Sequence, residues 1–382
     1  MGLINPELSR PVDVMLFCQR LSTTGGVPIF TRTLATALAA GAVSTSTCSI
    51  RERLAEDRLK DLPATNIHMD LGMPVGRPSG IIDHLRVIMR LSRCIARQHP
   101  ATIHTSDSLA PYVFAAVKFA RLRRAPSPRL VVQAHEPFAT GMMGRPRQRL
   151  VRAICRRPSV LVVADVPSIA RQLEADLRLP ENRVESLALG VDTDAFDGGL
   201  RGGQVRNRYG IPPGAIVVCY IARPAPVKNH QLFFEIARRI VTSHQNVWFI
   251  TTFPDSGRHG NRVIGIDSLE YPQDLLFDAD IYLSTSDYEG FGLSIVEAMA
   301  AGLAVVAASA GSVAEVVGDT ALLAPAGAAD ELTSAVVRLL DEPDTRAELA
   351  RLARERARMS FGLDEFGKRY VRLLAPSKAG NR

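Results

Sequence analysis

Short, almost wholly apolar runs alternate with helical patterns along most of this chain, and that alternation limits what it can fold into. Val12 to Cys18, Leu130 to Ala134, Val160 to Ala164, Val217 to Ile221, Val247 to Ile250, Ile281 to Ser284 and Ala304 to Ala308 are runs of this kind. Strands buried on both faces read this way, and they occur in parallel sheets covered by helices. Thr45 to Ile50, Asn66 to Leu71, Thr102 to His104 and Val263 to Ile266 are added as further strands. Helical periodicity is found over Ile29 to Ala40, Ile81 to Gln98, Leu109 to Arg123, Asn229 to Val241 and Leu293 to Ala301. It returns in three amphipathic stretches, Glu331 to Leu340, Asp344 to Met359 and Leu363 to Leu374. Parallel strands need a crossover between them, so this order predicts doubly wound α/β units.

At 382 residues the chain exceeds what one core usually serves. A glycine- and proline-rich stretch from Asp197 to Gly214 marks the expected division, giving domains 1–197 and 198–360, with 361–382 as a last helix and tail. No apolar run approaches the ~18 residues that span a bilayer, and Met1 to Arg20 lacks the order of a signal peptide. A cytoplasmic protein is expected, with localisation at the inner face of the membrane as a variant of that reading. Cys18, Cys48, Cys94, Cys155 and Cys219 are scattered, odd in number and without Cys-x-x-Cys spacing, which suits a reducing compartment and argues against a structural metal.

The charge of +7 is unevenly spread: between Leu85 and Val160 stand 15 Lys or Arg against two acids, Asp107 and Glu136. A basic face attracts diphosphates, anionic lipid headgroups or nucleic acid, and its bland reading is a solvated surface. Nucleic acid is the weakest of these partners, because no aromatics are interleaved with the basic run to stack bases.

The stretch richest in chemistry runs from Asp280 to Glu297: a buried strand, a polar loop with Gly290 and Gly292, and a helix starting at Leu293. Helix starts present unpaired NH groups and a positive dipole end, so an anion is expected there. Glu289 in the loop and Glu297 in the helix stand eight positions apart, too far to act as a close carboxylate pair. Arg223 and Lys228 follow the strand Val217 to Ile221, two fixed cations five positions apart that can neutralise a diphosphate as its charge grows. His135 and Glu136 directly follow a strand's carboxyl end, where doubly wound sheets bind ligands. Gly25-Gly26 precede a helix in which Pro28 suits the first turn, and no Gly-x-Gly-x-x-Gly is present. Each feature also has a structural reading: a solvated loop, a packed histidine or a plain turn.

The run Glu289-Gly290-Phe291-Gly292-Leu293-Ser294-Ile295-Val296-Glu297 resembles the Glu-x7-Glu signature of family 4 of the retaining glycosyltransferases. That resemblance implies the GT-B fold, two Rossmann-like α/β domains whose parallel sheets face an interdomain cleft. It implies that Glu289 holds the donor sugar and Glu297 the ribose. Arg223 and Lys228 resemble the family's diphosphate clamp, His135 its N-domain histidine near the reacting carbon, and Gly25-Gly26 its first glycine-rich loop. The base is placed by the same resemblance against Ile264 and Gly265; the NH groups of Gly292 and Leu293 would help hold the diphosphate, and Gly290 and Phe291 are counted with the donor site. Transfer of a sugar from a nucleotide diphosphate sugar is the implied reaction, UDP favoured and GDP the alternative, with no metal and no cofactor.

Four departures bear on this reading. Ala222 and Leu189 replace the family's usual glycine and asparagine, Leu303 its proline, and Thr251 to Gly257 its Gly-x-Gly turn, which leaves the base open. The acceptor is unidentified: a lipid-linked glycan, a polysaccharide or a small molecule all fit. Three other readings stand beside the transferase: a nucleotide-sugar 2-epimerase, a non-catalytic scaffold of the same fold, and a membrane- or nucleic-acid-binding module built on the basic half. Asp192-Thr193-Asp194 and Asp278-Ala279-Asp280 are read as structural rather than as metal ligands.

Overall fold

The computed structural model describes residues 10–21, 26–50, 62–63, 66–73, 79–122, 124–136, 145–196, 203–253, 260, 262–266 and 272–376. Two compact units account for them, one formed by residues 1–190 with 363–382 and the other by 191–362.

The first unit is built on β1 (Val14–Cys18), β2 (Thr45–Ser49), β3 (Ile67–Asp70), β4 (Thr102–Ser106), β5 (Arg129–Ala134), β6 (Val160–Ala164) and β7 (Val184–Ser186). They form one sheet in the order β3-β2-β1-β4-β5-β6-β7, every pairing parallel. Its helices are α1 (Gly26–Ala40), α2 (Ile81–Gln98), α3 (Ala110–Arg121), α4 (Arg145–Cys155) and α5 (Pro167–Leu177). All five residues of β1 are buried, as its apolar sequence demands. β2 is equally buried although it reads Thr-Ser-Thr-Cys-Ser. Three of its four hydroxyls are paired: Ser46 Oγ donates to Gln98 at 2.8 Å, Thr47 Oγ1 donates to Asn66 at 2.8 Å, and Thr45 Oγ1 accepts from Asn66 at 2.8 Å. Burial of a polar group is tolerated when it finds a partner; Ser49 Oγ, at the strand's end, is buried without one among the described residues.

The second unit carries α6 (Gln204–Arg208), β8 (Ile216–Tyr220), α7 (His230–Ser243), β9 (Val247–Thr251), β10 (Val263–Gly265), α8 (Pro272–Asp278) and β11 (Ile281–Ser284). It continues with α9 (Leu293–Ala300), β12 (Ala304–Ser309), α10 (Val313–Val317), β13 (Ala321–Pro325), α11 (Ala329–Asp341) and α12 (Pro343–Phe361). Its parallel sheet runs β10-β9-β8-β11-β12-β13. Both sheets therefore reverse their strand order once, between β1 and β4 and between β8 and β11, and ligands of such sheets bind beyond the strand ends at that reversal.

The last helix, α13 (Leu363–Leu374), belongs to the first unit and packs on α1. Its buried face carries Phe366, Tyr370 and Leu374 at helical spacing. Phe366 and Tyr370 meet the Phe30 ring edge-on at 6.1 and 5.7 Å. Gly190 lies flush against Phe366, where an added Cβ would stand 2.5 Å from the ring.

Sequence and structure differ in instructive places. The chain leaves the first unit at Gly190, seven residues before the glycine-rich stretch. Phe196 packs instead on Phe277 at 5.7 Å, and its carbonyl accepts from Arg354 at 3.2 Å, both within the second unit. The helix α4 lies inside what reads as a basic run, because its buried stripe is only Val151, Ile154 and Cys155. β13, Ala-Leu-Leu-Ala-Pro, is an apolar edge strand that is only partly buried and that is not among the strands read from the sequence. Arg123 and the tail from residue 377 lie outside the described residues. The two Asp-x-Asp strings are tied into the backbone: Asp192 Oδ1 accepts from Ala195 N at 3.1 Å, and Asp278 Oδ2 accepts the α6 amides of Val205 and Arg206 at 2.7 and 3.1 Å. Asp280 Oδ2 takes Arg206 and Val217 N, both at 2.9 Å.

Truncating Phe366 to alanine empties the seat between α13 and α1. A loss of about 3–5 kcal/mol is expected. Hydrogen exchange should show reduced protection in β1 to β7 and unchanged protection in β8 to β13.

Candidate functional site

In the second unit, the reversal between β8 and β11 brings together two loops that are far apart in sequence. After β8 the chain passes Ala222, whose amide donates to Thr252 Oγ1 at 3.0 Å, and reaches a 3-10 turn at Pro226–Lys228. Asn229, at φ 45°, caps α7, and its side-chain amide donates to Asp287 at 2.9 Å, while Asp287 N donates to Val227 O at 2.8 Å. These bonds fasten the β8 loop to the β11 loop and fix where Lys228 points.

Lys228 Nζ donates to Glu289 Oε1 at 2.6 Å. The same oxygen accepts from Ser286 Oγ at 2.7 Å. Behind Ser286 stands Tyr220, fully buried, its hydroxyl 2.7 Å from Ser286 Oγ and donating to Lys228 O at 2.9 Å. Burial of Tyr220 pushes its phenol above the ordinary value, so it remains a neutral hydrogen-bonding brace. Glu289 Oε2, by contrast, has no partner among the described residues, which leaves one carboxylate oxygen for a ligand's hydroxyls.

Gly311 explains how closely the Glu289 backbone is held. At φ 63°, it passes so near that an added Cβ would lie 2.0 Å from Glu289 O. Ser312 continues the contact, its amide donating to Glu289 O at 3.1 Å and its hydroxyl to Gly290 O. Gly292, at φ 84°, is the N-cap of α9, a left-handed conformation that glycine adopts without strain. The amides of Gly292, Leu293 and Ser294 meet no acceptor among the described residues, so the helix start offers donors and a positive dipole end to an anion. Phe291 is different: its ring packs edge-on against Phe361 at 5.4 Å, so it can offer a ligand only its backbone.

Arg223 is exposed, and its guanidinium has no partner among the described residues; its carbonyl accepts from His230 Nε2 at 3.2 Å. Glu297 lies in the second turn of α9, half-buried and without a hydrogen-bond partner among the described residues. Burial pushes its carboxyl up to about 7. Ile264 and Gly265 lie half-buried on the edge strand β10, paired with Ile250 and Thr251. The structure thus joins Lys228 to Glu289 directly and sets Glu297 in the second turn of the helix that follows the Glu289 loop.

In the first unit, His135 follows β5 and its Nδ1 lies 2.9 Å from Asp165 Oδ2 at the end of β6. Asp165 Oδ1 accepts from Gln133 Nε2 at 2.7 Å. Burial opposes charging His135, but Asp165, with Asp107 and Glu136, holds its pKa above the ordinary value. Asp107, at the end of β4, is itself pushed up to about 6 by burial. Gly26 opens α1, whereas Gly25 lies outside the described residues. Ser286, Tyr220, Asp165 and Gln133 escaped the sequence reading; an acid or amide at a strand's carboxyl end was the available signal for the last two.

Two parallel Rossmann-like units, each with its reversal point, constitute the GT-B architecture. The Anabaena protein HepE, solved in complex with UDP and glucose, shares it: TM-score 0.77 over 95% of this chain and 99% of that one, at 18% identity. Models of Glycosyltransferase Family 4 and of Glycosyl transferases group 1 match residues 24–195 and 215–342. The chain belongs to glycosyltransferase family 4. Similar curated proteins include the MMP alpha-(1->4)-mannosyltransferase of Mycolicibacterium hassiacum, 30% identical over 55% of this chain and 51% of that protein. The D-inositol 3-phosphate glycosyltransferase of Gordonia bronchialis is 29% identical over 51% and 48%. The chain therefore spans about half the length of the curated relatives it matches.

A carboxyl whose folded pKa is about 7 keeps a proton that the unfolded chain releases near the ordinary glutamate value of about 4.3. Between those two values the native state binds more protons, so the Glu297 contribution to stability falls as pH rises through this window. Urea denaturation from pH 4.5 to 7.5 should show this decline, and Glu297→Gln should flatten it.

Proposed function

We propose that this chain is a retaining, metal-independent glycosyltransferase that moves a sugar from a nucleotide diphosphate sugar to an acceptor hydroxyl. The observation that carries the reading is the Lys228–Glu289 pair at the β8/β11 reversal, beside the open amides at the start of α9. A cation and a carboxylate side by side suit a ligand that is anionic at one end and hydroxylated at the other.

Lys228, Arg223 and the amides of Gly292 and Leu293 would take the diphosphate as the bond from the sugar's anomeric carbon to its phosphate oxygen breaks and the electron pair moves to that oxygen. Glu289 Oε2 would accept from sugar hydroxyls, and Glu297 from the ribose. Ile264 and Gly265 would meet the base, UDP being favoured and GDP the alternative. His135 would meet a hydroxyl of the sugar while positive charge develops at the anomeric carbon. The acceptor oxygen would bond to that carbon on the face the phosphate leaves, its proton passing to the departing phosphate oxygen, so configuration is retained. Fixed cations and a helix start supply the charge that a divalent ion supplies elsewhere. The names of the curated relatives, a mannosyltransferase and an inositol-phosphate glycosyltransferase, support sugar transfer over epimerisation.

Peripheral contact with an anionic membrane is favoured by α2. Ile81, Ile82 and Leu85 are 80%, 66% and 50% exposed, on the same outward side as Arg86 and Arg93. Apolar tips among arginines fit the boundary between headgroups and acyl chains. Other arginines of the basic run serve the fold: Arg90 donates to Leu71 O at 2.7 Å, Arg147 to Ser108 O at 2.6 Å and Arg156 to Leu177 O at 2.8 Å. No described helix is long and apolar enough to cross a membrane. This contact would suit a lipid-linked acceptor.

A thermal-shift screen against UDP, GDP, ADP and TDP, with and without EDTA, tests the donor site. One diphosphate should raise the melting temperature selectively and independently of EDTA. Glu289→Gln, which keeps the shape and the Ser286 contact, should cost roughly a hundredfold in transfer, the scale of losing one preorganised electrostatic group. Release of a free epimerised sugar from the donor alone would overturn the transferase reading. For the membrane contact, flotation with vesicles containing about 30% phosphatidylglycerol should retain the native chain and release an Ile81→Asp/Ile82→Asp variant, since two buried apolar tips and the basic face share the attraction.

A further inference from the structure

His135 is not an isolated ring. Its Nδ1 lies 2.9 Å from Asp165 Oδ2, and Asp165 is 1% exposed, so this carboxylate is held by protein groups rather than by water. Its other oxygen accepts from Gln133 Nε2 at 2.7 Å. Which way the Gln133 amide faces is settled by its oxygen, which accepts from Tyr370 OH at 3.3 Å and lies 3.4 Å from His104 Nε2. Burial pulls His104 down to about 4, so at neutral pH it is an uncharged ring. With donors crowding the Gln133 oxygen, the amide NH2 is turned to Asp165, and Asp165 is left to accept from His135. The Phe30 ring, 5.5 Å from His135 and 5.7 Å from His104, fills the space beside both imidazoles. His135 Nε2 is itself buried without a hydrogen-bond partner among the described residues. A buried polar atom left unpaired is costly, and such atoms mark places where a ligand completes the bonding.

We propose that Asp165 is a positioning residue for His135, fixing the proton on Nδ1 so that Nε2 stands as the acceptor for a hydroxyl of the sugar. The assignment rests on the transferase reading for the ligand alone. An acidic side chain 2.9 Å behind the ring also stands on the side that favours positive charge developing at an anomeric carbon. Gln133 holds Asp165 and Tyr370 holds Gln133, so α13 reaches the ring through three hydrogen bonds.

The groups facing His135 are Asp165, Asp107, Glu136, His104 and, through Gln133, Tyr370. Below the His135 pKa the ring gains a second proton, Nε2 becomes a donor, and the acceptor is lost; transfer should fall on that acid limb. Asp165→Asn keeps the shape but removes the charge that favours the protonated ring, so the limb should move to lower pH.

The test is imidazole 15N NMR on the full chain, with the His135 resonance identified by its absence in His135→Gln. Above its pKa, native His135 should be mostly the Nδ1–H tautomer, and Asp165→Asn should lower that pKa and mix the tautomers. In the transfer assay, Asp165→Asn should lower kcat by about ten- to a hundredfold, the scale seen when the partner that orients a metal-holding histidine is removed. KM for the donor should change little. A His135 pKa and tautomer unchanged in Asp165→Asn would overturn the proposal, whatever the activity. Absence of transfer in the native chain would count against the function and leave the NMR result to judge the pairing. Should Asp165→Asn fail to fold, Tyr370→Phe gives the second reading: a shifted acid limb supports the relay, and a native pH profile overturns it.

Discussion

Parallel strands joined by right-handed crossovers force one place in each sheet where the connections on either side leave in opposite directions. Beyond the strand ends at that place the backbone parts, and side chains from two distant segments can face one another. In the second unit that place brings Lys228 within 2.6 Å of Glu289, although 61 positions separate them. Neither loop defines the pair alone. The β8 loop is oriented by Asn229 and the β11 loop by Gly311 and Ser312, and each depends on the other through Asp287 and Tyr220. The chemistry is thus a consequence of strand order before it is a consequence of residue choice.

Setting a cation and a carboxylate in a partly buried position is energetically demanding, and the neighbouring groups show how the demand is met. Desolvation costs several kcal/mol per ion in a dry interior, which a single contact offsets incompletely. Ser286 adds a second donor to the carboxylate, and Tyr220 holds Ser286. Glu297 illustrates the opposite outcome. Without a partner among the described residues, it follows the cheaper course of holding its proton up to about pH 7. Holding a proton, Glu297 can donate to a ligand as well as accept from it, whereas Glu289 offers its open Oε2 as an acceptor.

Much of the fold was legible because buried parallel strands announce themselves by apolar density. β1, β5, β6, β8, β9, β11 and β12 coincide with the runs read from the sequence, and both sheets take the doubly wound form that their alternation with helices predicts. Elements that escaped are those whose burial is partial, such as α4 and the edge strand β13. At the site, Glu289, Glu297, Arg223, Lys228 and His135 could be picked out because their residue types and spacing carry meaning in one dimension. Asp165, Gln133 and Tyr370 could not, since the bonds that unite them cross 32 and 237 positions and have no local pattern. Phe291 shows the limit from the other side: it stands inside the motif, yet its ring is occupied with Phe361.

The return of α13 to the first unit has a consequence for how the protein is made. During synthesis a domain ordinarily folds once its own residues have emerged, the N-terminal one first. Here the seat against Phe30 stays empty until Phe366 and Tyr370 appear, after the whole of residues 191–362 has been translated. At about 5–20 residues per second, that interposes roughly 10–35 s. The contiguous second unit can close in that interval while the first waits with an apolar face uncovered. Residues 363–374 therefore act as a completion signal: a ribosome that stops before them releases a molecule whose second unit is whole and whose first unit is unfinished, a natural substrate for chaperones and proteases.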